Sequence, residues 1–248
     1  MRRVIPLLAV LVYTGLVSSA GAQDGGANFS ISYNQGGDEA DYSMVIQILF
    51  IMTIVSLGPA IVLMMTSFLR ITIVLSFLRN AMGLQTTPSN QVIVAISLFL
   101  TFFLMSPVIA VIQTEALEPY QAQEITSQVA LDRSVNTLKQ FMLNQTRPAD
   151  LEFFLELSGS GRTGVADLPV SVVIPAFVLS ELRTAFQMGF LIFLPFIVID
   201  FLVASSLMAM GMFMMPPALV SLPFKILLFV LVDGWYLVIR SLVQSFQI

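Results

Sequence analysis

Apolar residues gather in four long runs, Met44–Leu69, Val92–Ile112, Met188–Met210 and Leu219–Leu242, with most charged residues lying between them. Each run is long enough to cross a hydrocarbon layer of about 30 Å. The first two carry no charge, the third carries Asp200, and the fourth carries Lys225, Asp233 and Arg240. Every run also holds a proline: Pro59, Pro107, Pro195 and Pro223. Proline in a helix removes a backbone donor and clashes with the preceding turn. In lipid, the freed carbonyls need partners within protein or in water. The pattern therefore predicts bent or broken helical hairpins packed against other chains.

The stretch between the second and third runs is helical but less apolar. From Gln121 to Gln145, Ile125, Val129, Val135, Leu138 and Met142 recur at roughly helical spacing. Pro148-Ala149-Asp150 suits a helix start and Gly159 a stop, and a further helix is expected from about Pro175 through Phe190. Almost nothing supports strands, and no internal repeat is visible. The expected fold is an all-α integral membrane protein of bent or broken hairpins with a helical periplasmic segment, assembling into a ring-like or helical oligomer.

The chain start looks like a targeting segment. Arg2 and Arg3 form a positive region, Val4–Val17 an apolar one, and Ala20-Gly21-Ala22 a small-residue cleavage site. Cleavage after Ala22 leaves Gln23 as the mature N-terminus, outside the cytoplasm. Five segments follow: a cleavable leader at 1–22, a flexible periplasmic tail at 23–43, and a first pair of spans at 44–112 (about 44–69 and 92–112). The other two are a largely periplasmic helical segment at 113–187 and a second pair of spans at 188–248 (about 188–210 and 219–242). Arg70 and Arg79 then occupy a cytoplasmic loop without acids, in keeping with the positive-inside rule. Arg240, near an external C-terminus, fits that orientation less well.

Composition narrows the chemistry. Of 248 residues, 57% are hydrophobic and 10% charged, with a mean hydropathy of +0.90; soluble domains have about a quarter charged. Cysteine and histidine are both absent, which removes thiol chemistry, the usual zinc sites and histidine acid–base catalysis. A net charge of −4 argues against nucleic acid as a partner. No cofactor is expected. The segment Ser158–Gly164, SGSGRTG, lacks the Lys-Ser/Thr ending of a phosphate-binding loop.

Three features remain as candidates for function. Residues 208–215 read MAMGMFMM and end in Pro216-Pro217. Thioethers are flexible and polarizable, so they suit apolar surfaces that fit more than one partner. Asp200 and Lys225 flank this turn inside apolar runs, where a lone charge costs about 2.5–3.5 kcal/mol, and a hairpin brings the two to similar depth. Glu181 and Arg183, two residues apart on one helix, point in different directions and are read as contacts to neighbouring chains, as is Asp233. A transporter using Asp200, Lys225 and Asp233 as a relay is the alternative from another class. The missing repeat and the charge-free first two spans weigh against it. Asp200 and Asp233 lack the surroundings of a membrane aspartyl protease.

The stretches PAFVLSELRTAFQMGF (175–190) and SLMAMGMFMMPPALVSLPFKILLFVLVDGW (206–235) closely resemble the FliP family of flagellar biosynthetic proteins and the related injectisome export-gate proteins. The resemblance extends from about Val45 to Phe246, and the leader favours the flagellar branch over the injectisome one. It implies a subunit of the type III protein export gate in the inner membrane, at the flagellar basal body. It also implies assembly in about five copies with FliQ-like and FliR-like membrane proteins and other export-apparatus proteins. Unfolded flagellar subunits are the implied cargo and membrane lipid the implied surround. The gasket of the resting pore would map to Met210, Met212, Met214 and Met215, with Phe213 departing from the all-methionine core of some relatives.

Overall fold

The computed structural model describes residues 39–84, 86–159 and 168–246. The leader, the Ala22–Gln23 cleavage site and the Ser160–Gly164 part of the SGSGRTG loop lie outside them, as does most of the tail. The chain divides into two compact units, Met1–Phe50 and Ile51–Ile248. In the first, the described part is helical from Glu39 onward, so the last residues assigned to a flexible tail belong to a helix.

Every described element is helical. Helix α1 covers Glu39–Met64 and stays helical through Pro59. Thr66 ends it: its hydroxyl donates to the Leu63 carbonyl at 2.7 Å and accepts the Phe68 N–H at 3.3 Å. Helix α2, Phe68–Ala81, follows at once. This helix stands where a cytoplasmic loop holding Arg70 and Arg79 is expected from the sequence. Ile71, Val74, Leu75, Leu78 and Ala81 form a buried stripe at helical spacing, with Arg70 beginning it. Ile71-Thr72-Ile73-Val74 is a β-branched run with modest helix propensity, and burial of the stripe outweighs that preference.

Helix α3, Asn90–Ile112, carries Pro107 and runs through a wider turn at Gln113–Leu117 into the short α4, Glu118–Gln121. Helix α5 spans Ser127–Gln145 and α6 spans Pro148–Leu157. Pro148 stands at the first helical position, where its missing N–H costs nothing. Gly159, at φ 64°, takes the left-handed conformation that closes the far end.

Helix α7 then runs unbroken from Val170 to Ala209, through both Pro175 and Pro195. At 1.5 Å per residue its 40 residues extend about 60 Å, twice the thickness of the hydrocarbon layer. No break marks the boundary expected near residue 188. Helices α8, Pro217–Leu231, and α9, Gly234–Gln244, complete the described chain. They meet at a 64° bend, so the fourth apolar run is a broken helix. Among the described residues, three helices are long and apolar enough to cross a membrane, or four if α8 and α9 count as one span.

Within the second unit, α2 packs along α7 and against α3, while α8 folds back on α7. Ile71, Val74 and Leu75 of α2 meet Ile93 and Leu104 of α3 and Ala185 of α7 in one buried cluster. Leu78, Ala81 and Met82 form another with Phe196 and Phe229. The α2–α7 approach depends on Gly189, where a Cβ would lie 2.7 Å from the Phe77 ring. Gly189→Ala is expected to destabilise the chain by about 1–3 kcal/mol through overpacking. Phe77→Leu should recover part of that loss, as measured by thermal stability in detergent.

Much apolar surface is left uncovered on the single chain. Residues 45–64 of α1 are almost wholly exposed, as are Phe186, Phe190, Leu191, Phe201 and Leu202 along α7. Soluble monomers rarely show contiguous apolar patches of this extent, so lipid or partner chains must cover them.

Candidate functional site

The turn between α7 and α8 follows from its residues. Helix α7 ends in a Schellman motif: the Gly211 N–H donates to Met208 O at 3.0 Å and the Met212 N–H to Leu207 O at 3.0 Å. Gly211 supplies the required left-handed conformation at φ 77°. On the other side, Pro216 is extended and Pro217 opens α8 with φ preset for a helix. The intervening side chains stay at the surface to differing degrees. Met214 is 100% exposed, Phe213 and Met210 nearly as open, and Met212 and Met215 partly so. The hairpin thus presents four thioethers and one phenyl ring at its tip.

Below the tip, Lys225 and Asp200 meet, Nζ to Oδ2 at 2.6 Å. Ser221 donates to the other carboxylate oxygen at 2.5 Å, and Nζ also lies 3.4 Å from Ala81 O at the end of α2. The Lys225 side chain is only 7% exposed while that of Asp200 is 40% exposed. This knot pins both arms of the hairpin and ties them to α2.

A second polar centre lies deeper in the unit. The Arg70 guanidinium grips Glu181 through both oxygens, with Nε to Oε2 at 2.8 Å and Nη2 to Oε1. Its Nη1 donates to both oxygens of Ser245 at 2.9 Å, Nη2 reaches Gln145 at 3.5 Å, and the guanidinium carbon lies 3.9 Å from the Phe246 ring centre. Both side chains are buried. Four parts of the chain are fastened here: α2, α5, α7 and the segment after α9. Glu181, expected at a contact with neighbouring chains, is instead wholly interior; burial leaves it no surface to offer.

Arg183 lies on another face of α7, with Nη1 3.2 Å from Asp150 at the start of α6 and a half-exposed side chain. Ser180 donates to the same carboxylate at 2.7 Å, and the Arg147 N–H donates to Ser180 Oγ at 3.0 Å. Asp233 sits at the α8–α9 bend with φ 51°, exposed and without an ion-pair partner among the described residues. The polar contacts of Asp150, Ser180 and Ser221 have no signal in the sequence, where Asp150 reads only as part of a helix start. Arg70 was assigned to a loop, although it stands at the head of an apolar stripe with helical spacing that argued for a buried helix. Among the described residues, no group of three acidic side chains could hold a metal ion.

These features define a class: an all-helical membrane protein with one broken span, internal charge pairs, and an apolar turn raised on a locked hairpin. The chain belongs to the FliP family, whose profile matches residues 51–242. A relative from Bacillus subtilis, named flagellar biosynthetic protein FliP, is 46% identical over 220 residues, covering 88% of this chain and all of the relative. One of the same name from Pectobacterium carotovorum is 52% identical over 206 residues, covering 83% and 80%. Another, from Caulobacter vibrioides, is 44% identical over 246 residues, covering 98% and 90%.

Proposed function

We propose that this chain is a core subunit of the flagellar type III protein export gate in the bacterial inner membrane, at the flagellar basal body. It has a structural role in export and is not an enzyme. About five copies gather with FliQ-like and FliR-like membrane proteins, their hairpin tips converging on a shared axis. Unfolded flagellar subunits pass between those tips. The N-terminal end of α1 faces away from the cytoplasm, and Asp233 and Arg183 lie at contacts between chains.

The observation that carries this reading is the exposure of the turn. At the tip of the pinned hairpin Met214 stands clear of its own chain, Met210 is largely open, and Met212 and Met215 are partly so. Brought together, they exclude water when idle and repack around a guest more readily than branched side chains do. The 60 Å length of α7 supports the same arrangement, since such a helix extends beyond the lipid or lies within a protein assembly. Asp200 already engages Lys225 and Ser221, which leaves it poorly placed as a proton relay for solute transport.

Replacing both Met212 and Met214 with alanine is expected to raise resting ion leak across vesicles containing the assembled gate. Conductance equal to that of the unaltered gate would reject the seal.

A further inference from the structure

Two charges in the broken fourth run have no counterpart within the described part of their own chain. Lys225 is held by Asp200, but Asp233 and Arg240 are both exposed, and neither makes an ion pair among the described residues. Asp233 occupies the N-cap of α9, where a carboxylate ordinarily accepts a backbone N–H from the first turn. It makes no such bond, and its backbone is left-handed, at φ 51° and ψ 53°, where a capping residue is extended. Capping therefore does not account for the acid. Arg240, two turns further along, lies over the Tyr236 ring at 5.9 Å, and that ring is its only polar or π contact among the described residues.

The surroundings make both charges costly once they are covered. Leu231, Val232 and Leu237 beside them are exposed, so this stretch is apolar surface that lipid or protein must cover. Covering it strips water from Asp233 and Arg240 as well, and a desolvated charge needs an opposite one. The N-terminal end of α9 favours the acid, but that effect falls off within a turn and does nothing for Arg240.

From these observations, and resting on the gate reading above, we infer that Asp233 of one copy pairs with Arg240 of the next, making the α8–α9 bend the charged joint of a head-to-tail contact between copies of this chain. One acid and one base stand unmatched on this segment, so a second copy supplies what each lacks and the joint carries no residual charge. The two positions lie about 10 Å apart along α9, close to the 8–10 Å between packed helix axes. A guanidinium side chain and a carboxylate together bridge a gap of that size. In a ring, each copy gives its acid to one neighbour and its base to the other. Exchange of both charges between two copies closes a dimer instead, and only the first arrangement agrees with several copies around one axis.

The chain contains no cysteine, which leaves thiol mapping free of background from its own residues. The test uses membranes in which the full chain is co-produced with FliQ-like and FliR-like proteins. Copies carrying Asp233→Cys are mixed with differently tagged copies carrying Arg240→Cys and treated with a bis-maleimide of about 10 Å span. The mixture should give a dimer holding both tags, and neither variant alone should give one. A chain with both cysteines should give a ladder of dimers, trimers and longer species. A ladder ending at the dimer, capture of a FliQ-like or FliR-like chain in place of a second copy, or no crosslink at all would overturn the joint.

Charge variants read the same contact through assembly. Asp233→Asn removes the charge while tolerating the left-handed backbone, and Arg240→Glu reverses the other charge on an exposed face. Each should lower the yield of assembled particle at least about tenfold, with the thermal stability of the isolated chain in detergent unchanged. Asp233→Lys with Arg240→Glu rebuilds the pair with its signs exchanged and should restore most of that yield. Single variants that assemble like the unaltered chain, or a double variant as poor as Arg240→Glu, would refute the pairing. With those results, a multi-copy particle formed by the unaltered chain keeps the gate reading intact. If the unaltered chain forms no such particle, the gate reading fails and this inference with it.

Discussion

Arg70→Ala is expected to abolish stable accumulation of the chain in the membrane. Removing the guanidinium strands the Glu181 carboxylate, which has no exposed surface, and takes away the donor to both oxygens of Ser245. Loss of one member of a buried pair costs about 3–5 kcal/mol, a large part of the 5–15 kcal/mol that holds a typical domain together. Glu181→Ala should do similar damage by leaving the guanidinium uncompensated. Arg70→Lys should rescue little, since one ammonium cannot span both Glu181 oxygens and Ser245 together. The informative case is the double change Arg70→Met with Glu181→Leu. Removing both charges removes the desolvation cost along with the attraction, so the double variant should accumulate better than either single one. Pulse-chase labelling with protease challenge in detergent reads this directly. Singles that persist like the unaltered chain, or a double variant as poor as the sum of its parts, would refute the assignment.

That pair also marks where sequence reading stopped. Periodicity along a chain reports which face of a helix is buried, and it located the apolar runs, the helical content and the limits of α6, where Pro148 and Gly159 impose local geometry. It cannot report what a buried face meets. Arg70 and Glu181 are 111 positions apart, and nothing near either one names the other. Read locally, a basic residue after an apolar run looks like a membrane-edge anchor, and that likeness produced the misplaced loop. Asp200 and Lys225 were open to inference for the opposite reason: a short turn with a glycine stop and a proline start leaves little freedom in how the arms align.

The prolines do not mark the place where a helix ends. Pro195 frees one carbonyl in α7, at Leu191, but neighbouring turns and the packing of Phe196 against Phe229 continue the helix past it. The chain breaks instead at Val232–Asp233, which lacks a proline, where Asp233 adopts a left-handed backbone. The Gly234 beside it explains the site: a Cβ there would lie 2.2 Å from the Phe229 ring, so only glycine lets α9 turn so closely over α8. A break specified by a side chain five residues earlier is not visible in a pattern of apolar positions.

Asp200→Ala should be more damaging than Lys225→Ala, although the two remove the same ion pair. Lys225 is the buried partner, and without Asp200 its ammonium keeps only the Ala81 carbonyl at 3.4 Å. Loss of the acid therefore leaves an almost unpaired buried charge, at a cost of about 3 kcal/mol. In Lys225→Ala the survivor is Asp200, two-fifths exposed and still hydrogen-bonded by Ser221, so the cost falls toward about 1 kcal/mol. The charge-swapped double variant, Asp200→Lys with Lys225→Asp, restores the pair with its long side chain on the open side and should assemble better than Asp200→Ala. Assembly on native gels reads the stability difference. Ion leak reads something separate: Lys225→Ala retains most of its stability yet unpins α8 from α2, so gates built from it should leak more than their yield would suggest. Equal yields for the two alanine variants would contradict the burial asymmetry, and a tight seal in Lys225→Ala gates would show that the turn keeps its position without this lock.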